Sequence, residues 1–64
     1  MTPITPQELQ ERRKALSLSQ AKLAMLLGVD VMTVSRWERG VREIPPYLSL
    51  TLEALEYRAS RHSL

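Results

Sequence analysis

The sequence predicts an all-α fold, a compact four-helix bundle in which two short helices are joined through a glycine turn. Three observations carry this expectation. Apolar residues recur at helical spacing in successive segments of the 64-residue chain. Helix-start residues stand at Thr5, Ser19 and Asp30, and helix-stop glycines at Gly28 and Gly40. The composition, 44% hydrophobic and 25% charged with few aromatics, is that of a compact helical protein and not of a disordered chain.

The first helix is expected over residues 6–16. Thr5 is placed to cap it, Pro6 suits its first position, and Glu8 stands three residues after Thr5 to complete a capping box. Ile4 and Leu9 are spaced for a hydrophobic staple. The inward stripe reads Leu9, Arg13, Leu16. An arginine there either needs an acidic partner or lies at the stripe's edge and extends to water. Ser17-Leu18-Ser19 breaks the pattern, and Ser19 caps a second helix over 20–27. Leu23, Ala24 and Leu27 share one stripe of that helix, with Ala24 small where a crossing helix must approach closely.

Gly28 accepts the left-handed backbone that ends a helix, and Asp30 caps the next, expected over 31–39 and stopping at Gly40. Val34 and Trp37 face inward from this third helix. Two short helices meeting steeply through a glycine turn form a helix-turn-helix unit. Residues 41–44 read as a loop, because Ile44 and Pro45 each precede a proline and leave the helical region. Pro46 then opens a fourth helix reaching about residue 61. Its apolar positions form two neighbouring stripes: Leu48, Leu52, Leu55 and Ala59, and beside them Tyr47, Leu50, Ala54 and Tyr57. That face is broader than one small core needs. No repeat, low-complexity run or second domain interrupts the chain, so residues 1–64 read as one domain.

Bulk properties exclude several classes of function. A chain of this length buries only about 60% of its unfolded surface, which favours association with a second copy. It has no cysteine, so neither a disulfide nor a thiolate metal site is expected, and a reducing cytoplasm fits. No apolar run approaches the roughly 20 residues of a membrane span, and the N-terminus lacks a secretory apolar segment. An enzyme is not expected. His62 is the one histidine and sits in the tail, and no metal-ligand cluster, phosphate loop or nucleophile–base pair is present. No cofactor and no small-molecule ligand is implied. The net charge of +2 is too small to identify a partner; the distribution of charge has to do so.

That distribution centres on the third helix. At 100° per residue, Val34, Trp37 and Glu38 turn inward, while Met32, Arg36 and Arg39 turn outward with Thr33 and Ser35 flanking them and Val31 on the margin. A face of this composition suits the DNA major groove. Arg36 has two donors for guanine, Val31 and Met32 are placed for thymine methyls, and Thr33 and Ser35 for bases or phosphates. Gln20 heads the second helix, whose amides would face a phosphate, and its side chain either adds a phosphate contact or braces the third helix. Lys22, Arg39 and Arg42 are candidate phosphate clamps. Glu38 and Arg13, both inward, answer each other's need and are expected to form a partly buried ion pair tying the first helix to the third.

The run L-S-Q-A-K-L-A-x-x-L-G-V-D followed by T-V-S-R-W-E-R-G resembles the phage-repressor, xenobiotic-response-element (lambda-repressor-like) family of helix-turn-helix proteins. The likeness is close over residues 11–42 and looser at the start of the first helix and over 45–55. It implies a bundle of four or five helices and sequence-specific operator binding, usually as a dimer. By motif position it assigns base reading to Val31, Met32 and Arg36. Phosphate holding falls to Gln20, Thr33, Arg39 and Arg42, and a helix-to-helix ion pair to Arg13 and Glu38. Two departures stand out. Val31 and Met32 occupy places where many members carry glutamine or another polar reader, and the Ile44-Pro45-Pro46 segment leads into one long helix in place of two.

The expectation is therefore a transcriptional regulator, a repressor reading a palindromic operator in double-stranded DNA. It would work as a homodimer in a bacterial or phage-type cytoplasm, with its reading helices about 34–36 Å apart. The candidate dimer surface is Leu48, Leu52, Leu55 and Tyr57 on the fourth helix, the alternative being that these residues complete the monomer core. The competing function is a protein-interaction adaptor or antitoxin-type module. An antitoxin would carry a toxin-binding extension, and only a few residues follow the fourth helix.

Overall fold

The computed structural model describes residues 4–62. Helices α1 (Pro6–Ala15), α2 (Gln20–Leu27), α3 (Val31–Glu38) and α4 (Leu48–His62) follow in order, with no strand among the described residues. His62 closes α4, and its side chain lies outside what is described. None of the helices is long and apolar enough to cross a membrane.

Each of the first three helices starts on a side-chain cap. Thr5 Oγ1 accepts from the Glu8 amide while Glu8 Oε1 accepts from the Thr5 amide, both at 3.1 Å, a complete capping box. Ser19 Oγ accepts from the Lys22 amide and Asp30 Oδ1 from the Met32 amide, both at 3.0 Å.

The three helices also end alike. Ser17, Gly28 and Gly40 have φ of 59°, 72° and 73°. After each left-handed residue the next amide reaches back to the last full turn: Leu18 to the Arg13 carbonyl, Val29 to Ala24 and Val41 to Arg36, at 3.0–3.2 Å. This Schellman closure satisfies carbonyls that would otherwise be orphaned. Two of the three sites carry the glycine that the geometry favours; the first makes do with serine, which the sequence marked only as a break.

Every helix contributes to one core. Leu9, Leu23, Val34, Leu48 and Leu52 are fully buried, and Ile4, Ala24, Trp37 and Ile44 join them. Each buried leucine or valine contributes about 1.5–3 kcal/mol. Ala24 is buried on α2, the helix that packs against α3. Trp37 belongs wholly to the core, although its Nε1 finds no acceptor among the described residues.

The fourth helix differs from expectation at its start. It begins at Leu48 and not at Pro46, because Pro46 and Tyr47 form a turn in which the Leu48 amide bonds to the Pro45 carbonyl at 3.1 Å. Proline suits the second position of such a turn, so the rigid Pro45-Pro46 pair sets the direction from which Leu48 drops into the core. A tie invisible in the sequence holds α4 further along. Arg12 grips Glu56 with two parallel hydrogen bonds of 2.8 Å, from Nε and Nη2, linking α1 to α4.

Candidate nucleic-acid interface

The site is α3 and what holds it. The inner side of α3 is sealed by Val34, Trp37 and Glu38, the last only 6% exposed. A carboxylate at that depth is stable only with donors around it, and it has several. Arg13 donates from Nε to Glu38 Oε2 at 2.6 Å and from Nη2 to Oε1 at 3.0 Å. Gln20 donates to Oε1 at 2.9 Å. Arg13 Nη1 also reaches the Leu18 carbonyl in the α1–α2 loop, and Gln10 donates to the Glu38 backbone carbonyl. Burial by itself would push the Glu38 carboxyl up. The hydrogen bonds from Arg13 and Gln20, with the charges of Arg13 and Lys14, outweigh it and hold the carboxyl below its ordinary value. The Arg13 guanidinium is correspondingly raised, first by its hydrogen bonds to Glu38, against burial and with the help of that charge. One carboxylate thus locks α3 to α1 and α2 together.

With its inner side fixed, α3 presents the other side to solvent. Val31, Met32, Arg36 and Arg39 are exposed, and Thr33 and Ser35 are half-buried along the margins. Arg36 is joined to no acid among the described residues. Arg39 Nε donates to Ser35 Oγ at 3.2 Å, which spreads its guanidinium along the helix. Arg42 and Lys22 are exposed as well. The acids of this stretch are withdrawn from the face or placed beside it: Asp30 caps, Glu38 is buried, and Glu43 lies exposed in the loop after α3. The outer face therefore carries guanidinium groups and apolar side chains.

Gln20 gives one N–H of its side-chain amide to Glu38, which is the bracing contact that was one of its two expected roles. The dimer-surface expectation changes. Leu48 and Leu52 are not a dimer surface: both are fully buried in this chain's own core, with Leu55 packed partly against it. Of that set only Tyr57 is exposed. The two stripes of α4 have divided their tasks, because the bundle has room for one. The other stripe, Tyr47, Leu50, Ala54 and Tyr57, is entirely exposed. Arg61 folds back on Tyr57, its guanidinium carbon 5.7 Å from the ring centre and Nη1 donating to Oη at 3.0 Å.

Sequence reasoning missed Gln10 and the Arg12–Glu56 clamp. Arg12 stands beside Arg13, and the sequence holds no signal for which acid on a distant helix will meet it. Gln10 precedes Arg13 by one helical turn and so shares its side of α1, which was a usable signal for a second contact at Glu38.

The helix-turn-helix family profile matches residues 9–55, well over half of the chain, from the middle of α1 into α4. Neither a curated protein nor a solved structure matches the chain.

Proposed function

The chain belongs to the XRE/lambda-repressor-like helix-turn-helix family, whose members are DNA-binding regulators, and on that premise we propose that it is a repressor reading a palindromic operator by inserting α3 into the major groove. The carrying observation is the division of α3. One side is locked by Glu38 and the core, and the other offers Arg36, joined to no acid among the described residues, one turn from Met32. Arg36 donates a bidentate pair to guanine, while Lys22, Thr33, Ser35, Arg39 and Arg42 hold flanking phosphates and set the register. In a bacterial or phage-type setting such a DNA reader works in the cytoplasm, beside the chromosome.

The operator is palindromic because the reader is a homodimer. Leu50, Ala54 and Tyr57 are spaced four and three residues apart along α4, the spacing of a two-helix seam, and exposed Tyr47 precedes them in the turn that leads into the helix. Glu53 and Arg58 flank that seam on opposite sides, so a second copy alongside can pair Glu53 of one chain with Arg58 of the other. Both charges are exposed.

The deciding experiment is selection of bound sites from a random duplex pool, followed by binding measurements with Arg36→Ala. An enriched pair of inverted half-sites about one helical turn apart is expected. The variant should lose about 1–3 kcal/mol of discrimination at one guanine. Log affinity should fall with log salt by roughly 0.9 for each phosphate held. An adaptor would enrich no duplex and would keep its protein partner in Arg36→Ala.

A further inference from the structure

α3 turns two apolar side chains to solvent where a helix facing only water would carry polar ones. Val31 is 40% exposed and Met32 49% exposed. Valine has no hydrogen-bonding group and methionine only a weak thioether acceptor, so neither reads the donor and acceptor code of a base edge. In the major groove, the apolar feature a base pair offers is a methyl group on C5 of a pyrimidine. Thymine carries it, and 5-methylcytosine presents the same group in a pair with guanine. Asp30 fixes the backbone from which Met32 projects, so little order remains to be imposed there on binding. The unbranched methionine then adapts its tip to the groove floor. Arg36 follows Met32 by one turn, about 6 Å along the axis. Measured along the duplex axis that is at most about two base-pair steps.

Building on the groove-reading proposal above, we infer that Val31 and Met32 form a C5-methyl reader. The protein selects a methyl-bearing pyrimidine, thymine or 5-methylcytosine, within about two base pairs of the guanine taken by Arg36. Burying one methyl group against these side chains raises affinity about fourfold. Methylation of a cytosine at that position is therefore a second input to binding, additional to the base sequence itself.

The test takes a duplex enriched by random-site selection and the full chain. Each thymine is replaced in turn by uracil, which removes only the methyl group. The same pair is then replaced by cytosine–guanine and by 5-methylcytosine–guanine. At one thymine near the guanine, uracil should weaken binding about three- to fivefold. At the same position, 5-methylcytosine should bind tighter than cytosine by a similar factor. In Val31→Ala/Met32→Ala, whose changes lie on an exposed surface, helicity and melting temperature should hold while the uracil effect shrinks below about twofold. The inference is overturned if no uracil substitution matters, or if 5-methylcytosine and cytosine bind alike. It is equally overturned if the double variant keeps the full effect, since the methyl would then act through DNA shape. A pool that enriches no sequence overturns the groove-reading proposal itself, a result distinct from an enriched site indifferent to methyl groups.

Discussion

Glu38 carries two opposed demands, burial that disfavours its charge and three donated hydrogen bonds that require it. Removing the carboxylate leaves Arg13 without its partner in a half-buried site, so Glu38→Ala should cost about 3–5 kcal/mol, measured as a drop in urea midpoint. Replacing both ends by apolar residues, Arg13→Met with Glu38→Leu, should recover part of that loss, because no charge is stranded. The pair also makes stability depend on pH. The carboxyls of Glu38 and Glu56 are both held below their ordinary value in the folded chain. For Glu56 the cause is first the hydrogen bonds from Arg12, with its charge adding and burial opposing. Their contribution is complete above the ordinary carboxylate range and disappears as pH falls through the lowered folded values. Urea midpoints should therefore decline on acidification, and Glu38→Gln should flatten the decline.

At the scale of the element, helix ends decide more than helix interiors. α2 and α3 have eight residues each, too short to stand alone in water, and both depend on their caps and on packing. The closure after α1 places Ser17 at φ 59°. A left-handed backbone costs an ordinary L residue about 1–2 kcal/mol, whereas glycine carries no such strain but loses more entropy on folding. Ser17→Gly should stabilise the chain by up to about 1 kcal/mol, raising the melting temperature by roughly 4–8 °C per kcal/mol gained in a domain of this size. Asp30→Ala should do the reverse, losing about 0.5–2 kcal/mol with the cap of the reading helix. The caps were readable from the sequence because each depends on residues no more than three apart. The serine closure was not, since serine rarely takes that backbone; Ser17 is exposed, and the turn is closed by hydrogen bonds from the Ser17 amide to Lys14 and between Leu18 and Arg13.

For the whole molecule, the question is what α4 is for. Its inner stripe completes the core through Leu48 and Leu52, and Arg12 steadies it at Glu56, but its outer stripe is exposed, with Tyr57 covered in part by Arg61 of the same helix. If that stripe joins a second copy, Leu50→Glu should shift sedimentation to the monomer and weaken binding to a palindrome much more than to a single half-site. Because Leu50 is exposed, the monomer should keep its helicity. Loss of affinity for both duplexes in equal measure would count against the seam.

The pattern of the chain by itself determined the helices, their caps, the glycine turn, and the pairing of an inward arginine with an inward glutamate. Each follows from spacing along one helix or from a charge that burial does not tolerate alone. Only the tertiary structure decided which stripe of α4 is core, that Gln20 braces Glu38, and that Arg12 meets Glu56. Those outcomes depend on how helices are rotated and set against one another, and helical periodicity says which residues share a face but not which face the bundle will cover.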